Sequence, residues 1–242
     1  MKIRSLRLMY SFILSITVAT AVFSWKSPSV KASATPQSAA IAHKLTPPVG
    51  KPISVAFVLG DMATVIDFAG PWEVFQDAGG PDGMDHFRLF TVAASKTPIR
   101  VSGGMTVTPD YTFADAPAAR IVVIPAQRGA PELADWLRHR DKDADVVMSV
   151  CTGAFQLGKA GLLDGKQATT HHDYYGQFET SFPKVTLVKG HRYVQSDDVI
   201  YTAGGLTSGI DLALHIVELY LGHDVAQKTA DYMEYQGTGW KD

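Results

Sequence analysis

The chain has 242 residues, of which 46% are hydrophobic and 19% charged, with a formal net charge of −2 and one cysteine. Such a composition excludes a disordered chain and leaves room for a sizeable core. A single cysteine excludes an internal disulfide, and the lack of a basic excess argues against nucleic acid as a partner.

Lys2, Arg4 and Arg7 precede an apolar run from Leu8 to Phe23, and Ala32-Ser33-Ala34 supplies small residues where a signal peptidase would cut. Residues 1–34 therefore read as a secretory signal peptide and the protein as periplasmic or secreted; a membrane is a partner only if this segment stays uncleaved. No cysteine follows the run, so a lipoprotein anchor is excluded. Loss of five basic residues and no acid would lower the net charge from −2 to −7. Residues 35–52 are small, polar and proline-rich, the composition of a linker. Residues 53–242 then form one domain.

Ile53 to Leu59 is a continuous apolar run, the pattern of a strand buried on both faces. Gly60 ends it, and a loop follows through Asp67 to Pro71. Pro71 is placed for the first turn of a helix that runs to about Ala78. Phe87 to Ala93 reads as a second strand and Val101 to Thr108 as a hairpin region. Arg120 to Pro125 is another buried strand, and Pro131 to Arg140 a helix with Leu133, Trp136 and Leu137 on one face. Val146 begins a β-branched strand that reaches Cys151-Thr152-Gly153 and opens into a helix. Gln167 to Thr170, Val185 to Val188, Arg192 to Gln195 and Asp198 to Ala203 read as further strands. Helices follow over Leu206–Leu221 and Val225–Tyr235. Strands alternating with helices predict an α/β sandwich with a mostly parallel central sheet. Sites in such sheets form beyond the carboxyl ends of the strands, here at Asp67, at Cys151 and at the Gly204-Gly205 turn.

Cys151 is the candidate nucleophile. At a strand-to-helix corner its side chain is expected to be exposed, with the first helical amides and the helix dipole favouring a thiolate. The alternative is a buried, inert thiol, although in an oxidising compartment a lone thiol is a liability unless shielded or useful. Thr152 could steady charge developing on a substrate. Asp67 could meet Cys151 across adjacent strand ends as an acid–base partner, or could simply cap a helix. Of His171 and His172, adjacent residues that cannot both face one site, His171 is the candidate partner of the thiol. Tyr174, Tyr175, Tyr232, Tyr235 and Trp240 are candidates for a pocket wall or for ordinary packing. No metal-ligand spacing, G-x-G-x-x-G motif or P-loop is present, so neither a metal nor another cofactor is expected.

Three segments, IDFAGPWEVF (Ile66 to Phe75), SVCTGAFQLGKAGLLDGKQATTH (Ser149 to His171) and GGLTSGIDLALHIVE (Gly204 to Glu218), resemble the ThiJ/PfpI superfamily, relatives of the class I glutamine amidotransferases. Within it the chain is similar to the branch holding isonitrile hydratase and the sensor domains of AraC-type regulators. The resemblance implies a flavodoxin-like three-layer sandwich, a homodimer, and Cys151 at a nucleophile elbow. It also implies that Asp67, Cys151 and Thr152 match the acid and Cys-Thr pair of isonitrile hydratase, and that His171 matches a histidine found twenty residues past the cysteine in several branches. The elbow's leading residue is Ser149 rather than glycine, and Pro125-Ala126-Gln127 stands where a Pro-Gly-Gly loop often supplies an oxyanion amide. Thr152, in place of a histidine, counts against peptidase chemistry. The reading implied is a cofactor-free hydratase acting on an isonitrile-like small molecule. A glyoxalase-like enzyme using His171 as base, or a ligand-binding or redox-responsive domain without catalysis, are its rivals.

Overall fold

A computed structural model describes residues 45–80, 85–140 and 143–241. The proposed signal peptide lies outside the described residues. Among the described residues no helix is long and apolar enough to cross a membrane.

Seven strands form the main sheet: β1 (Ile53–Val58), β2 (Phe87–Ala93), β5 (Tyr111–Thr112), β6 (Ile121–Ile124), β7 (Val146–Ser149), β10 (Tyr193–Gln195) and β11 (Ile200–Ala203). Their spatial order is β10-β11-β7-β6-β1-β2-β5, and every neighbouring pair is parallel except β10 with β11. Two small two-stranded sheets complete the set: β3 (Ile99–Arg100) with β4 (Thr106–Val107), and β8 (Gln167–Ala168) with β9 (Thr186–Leu187).

The apolar strands alternate their side chains between two cores. Val55 and Phe57 of β1 face helices α1 (Val65–Gln76), α5 (Ser208–Leu221) and α6 (His223–Tyr232), burying Phe75, Leu212 and Val217. Ala56 and Val58 face α2 (Leu133–Arg140), α3 (Ala154–Lys159) and α4 (Tyr175–Ser181), burying Trp136, Leu137, Leu157 and Phe178. Both faces of the sheet are thus covered, as a parallel sheet requires, and the expected flavodoxin-like sandwich is the one formed. The strand order β2-β1-β6-β7-β11 reverses direction between β1 and β6, and ligand sites in such sheets lie at that switch point.

One local expectation differs. The first helix begins at Val65, so Pro71 sits in its interior and not in its first turn. Thr64 precedes it without a side-chain cap; the hydroxyl of Ser102, between β3 and β4, accepts from the Val65 N–H at 3.0 Å. A contact from a distant hairpin satisfies this orphan donor, and no local pattern could reveal it. Within the stretch read as a linker, Leu45 N–H donates to the Leu219 carbonyl at 3.0 Å.

Candidate functional site

Cys151 follows β7 with φ of 58°, in the left-handed region that a non-glycine residue occupies at a cost on the order of 1–3 kcal/mol. Its neighbours hold it there. Cys151 N–H donates to the Gly204 carbonyl at 2.9 Å, and Thr170 Oγ1 donates to the Cys151 carbonyl at 2.9 Å. Two residues on, a Cβ at Gly153 would stand 2.2 Å from the Ile124 carbonyl oxygen, so the chain can turn this closely against the end of β6 only with glycine there.

The corner differs from expectation in one respect that matters. Cys151 is buried, 6% exposed, and the helix after it is a 3-10 turn followed by only six α-helical residues. Thr152 N–H and Leu206 N–H donate to the sulfur and favour the thiolate, but burial and the charge of Asp67 outweigh them and push the thiol up to about 11. The resting group is a thiol.

Asp67 reaches it by an unexpected route. β6 lies between β1 and β7, so the strand ends carrying the acid and the cysteine are not adjacent. The first turn of α1 spans the gap: Asp67 Oδ2 accepts from the Ala126 N–H, just past β6, at 3.1 Å. Asp67 does not cap its own helix, and its side chain is fully buried. Its Oδ1 forms no hydrogen bond in the structure, and Cys151 is a polar neighbour of the carboxylate. Burial raises the carboxyl to about 7, opposed by the Ala126 N–H and by Cys151. This is the acidity wanted of a group that both accepts and returns a proton near neutrality. The Ala126 amide, in the position of the expected oxyanion donor, is occupied by Asp67; the amides at the sulfur belong to Thr152 and Leu206.

Thr152 is half-buried and lines a cavity of about 190 Å3 with Gln127, Phe155, Gln156, Lys159 and Tyr174. Of the candidate aromatic residues only Tyr174 reaches this cavity. Tyr175 accepts the Gly190 N–H, Tyr232 is exposed, and Tyr235 and Trp240 belong to the C-terminal segment.

His171 packs on the turn between the two residues that touch Cys151: a Cβ at Gly205 would lie 2.2 Å from its Cδ2 and 2.9 Å from its Nε2. Its Nδ1 accepts from the Asp173 N–H at 3.2 Å. That bond assigns the proton of the neutral ring to Nε2, on the edge facing the Gly205 turn. In that tautomer the ring presents a donor, and not an acceptor, to the Gly205 turn. His172 does not point away from it, because His171 is extended while His172 begins a 3-10 turn, and the two rings stack at 4.4 Å. With Asp173 they form the one group of metal-ligating side chains among the described residues; His172 and Asp173 are exposed, and His171 Nδ1 already serves as the cap.

Gly205→Ala is expected to drive the His171 ring off the turn. Activity should fall about tenfold or more while the melting temperature moves little, because a flexible side chain gives way and no backbone must. The double variant with His171→Ala should then be no worse than either single variant, which steady-state kinetics will check.

Residues 53–219 match the DJ-1/PfpI family. The chain is 33% identical over 189 residues to isonitrile hydratase of Pseudomonas putida, covering 76% of this chain and 78% of that enzyme. It is 26% identical over 190 residues to the HTH-type transcriptional regulator GbdR of Pseudomonas aeruginosa, covering 76% of this chain but only 51% of the regulator. Among solved structures, a ThiJ/PfpI family protein of Pseudomonas syringae superposes with a TM-score of 0.67 at 24% identity, over 87% of this chain and 85% of that one, a likeness of fold alone.

Proposed function

The chain belongs to the DJ-1/PfpI family, and from that premise we propose that it is an exported, cofactor-free hydratase that adds water to an isonitrile-like small molecule to give an N-substituted formamide. The observation that carries this reading is the buried Asp67 carboxyl, raised to about 7, beside the Cys151 thiol. The match to isonitrile hydratase supports it.

In this reading Asp67 takes the thiol proton as the sulfur attacks the terminal carbon of R–N≡C, and returns that proton to the same carbon. The product is a thioformimidate, R–N=CH–S–Cys151. Asp67 then withdraws a proton from a water that adds to this carbon and passes it to the nitrogen, giving R–NH–CH(OH)–S–Cys151. Collapse forms the carbonyl and breaks the C–S bond, the hydroxyl proton passes by way of Asp67 to the sulfur, and R–NH–CHO leaves. Thr152 N–H and Leu206 N–H steady the negative charge that passes through the sulfur. His171, with Nε2 protonated, donates toward the substrate. Incubation with a neutral alkyl isonitrile should produce the formamide proton resonance in NMR; its absence across a series of isonitriles overturns the proposal.

The glyoxalase reading asks His171 to be a base, and the Asp173 N–H on Nδ1 works against that. The match to a regulator over half of that protein favours one rival, a ligand-binding domain without catalysis, for which ligands would raise the melting temperature without being consumed. We further propose a homodimer. Met62 in the loop before α1, Ile66 in its first turn and Leu206 of the Gly205 turn are exposed apolar side chains, and such surface is characteristic of an interface. Analytical ultracentrifugation of the chain without its first 34 residues should give twice the monomer mass.

A further inference from the structure

Leu206, whose N–H meets the Cys151 sulfur, has φ of 54° although it is not glycine. Something outside the turn has to maintain that conformation. Arg192, just before β10, brackets the turn from both ends: its carbonyl accepts the Gly204 N–H at 2.9 Å, and its guanidinium donates to Thr207 Oγ1 at 3.2 Å. The guanidinium is in turn held by Asp211, in the first turn of α5, with Nε and Nη2 each 2.5 Å from Oδ2. Asp211 is 1% exposed, and its other oxygen accepts from the Tyr235 hydroxyl at 3.0 Å. Tyr235 comes from the C-terminal segment, which Trp240, 1% exposed, anchors in the core. A buried carboxylate is costly unless paired and fully hydrogen-bonded; here Oδ2 fixes a cation against the turn and Oδ1 is held by the Tyr235 hydroxyl.

We propose that Asp211 is a positioning residue: through Arg192, and braced by Tyr235, it holds the Gly204–Thr207 turn so that the Leu206 N–H stays aimed at the Cys151 sulfur. The C-terminal segment thereby contributes to the site without touching a substrate. Among the described residues the titratable group acting on the sulfur is Asp67 from α1, while the His171 ring after β8 packs on Gly205; the groups facing Asp211 are Arg192 and Tyr235.

The test is the rate of Cys151 alkylation by iodoacetamide between pH 8 and 11, where Asp67 is ionised throughout, in wild type, Asp211→Asn and Tyr235→Phe. A weakened Leu206 contact removes a donor that favours the thiolate, so the profile should move to higher pH. The rate at pH 9 is expected to fall about threefold in Tyr235→Phe and about tenfold in Asp211→Asn. A merely structural network would lower the melting temperature and leave the alkylation profile superimposed on that of wild type, and that result, or a shift to lower pH, overturns the proposal. Should Asp211→Asn fail to fold, Tyr235→Phe decides alone, since it removes one hydroxyl and keeps the ion pair. The readout needs no turnover, so its failure is distinct from failure of the hydratase reading, on which only the mechanistic value of the contact rests.

Discussion

Cys151→Ala is expected to abolish formamide production, lowering kcat by a factor on the order of 10^4–10^6, the range seen when a covalent nucleophile is removed from a preorganised site. The sulfur forms the bond that carries the reaction, and no other described side chain stands where it could substitute. The variant should fold, because the thiol is neutral at rest and its removal leaves no buried charge unpaired. Cys151→Ser should be nearly as inactive, a hydroxyl being far harder to deprotonate by a group with Asp67's acidity. One accompanying change is diagnostic. Cys151 lowers the Asp67 carboxyl from where burial alone would put it, so in Cys151→Ala that carboxyl should titrate above about 7, visible as a shifted carboxyl band in infrared difference spectra. Substantial turnover by Cys151→Ala would overturn the covalent route.

Asp67→Asn is expected to move three observables in different directions. Turnover should fall by a factor on the order of 10^2–10^4, the usual contribution of a positioned acid–base group. The wild-type rate should rise with pH through about 7 as Asp67 becomes the base, and the residual rate of the variant should lose that inflection. The thiol should nevertheless become easier to ionise, because the Asp67 charge is one of the causes that hold it near 11; alkylation at pH 8 should speed up while catalysis slows. Thermal stability should also change with a definite sign. Asp67 is raised from 3.8 to about 7 in the folded protein, so the folded state keeps a proton that the unfolded chain has already lost over that interval. Its contribution is fully present below pH 3.8 and is lost as pH rises through 7. At about 1.4 kcal/mol for each pH unit, burying the ionised carboxylate costs up to about 4 kcal/mol at pH 8. The wild type should therefore melt lower at pH 8 than at pH 5, and Asp67→Asn should lose most of that slope. A variant that is inactive, more readily alkylated and more stable at pH 8 would identify Asp67 as a group retained for chemistry at the expense of stability.

What this chain's sequence determined by itself is what local pattern can carry. The unbroken apolar runs at Ile53, Arg120 and Val146 and the helical spacing from Leu206 onward specify buried strands and helices, because the periodicity of burial is written in neighbouring residues. The Cys-Thr-Gly corner was legible for the same reason, and three segments in matching order were enough to place the family. Only the tertiary structure decided how the site works. It set β6 between the acid and the cysteine and carried Asp67 over it on the first turn of α1. It buried the thiol, reversing the acidity that the corner alone suggested, and it set a backbone amide two residues on against His171 Nδ1. Leu206 was beyond reach altogether: what it offers is a main-chain N–H, which every residue but proline carries, and its side chain says nothing of where that N–H points. Ion pairs such as Arg192 with Asp211, and the acidity of a buried carboxyl, depend on which distant segments exclude water and supply charge. Those quantities belong to the packed chain, and spacing along it does not encode them.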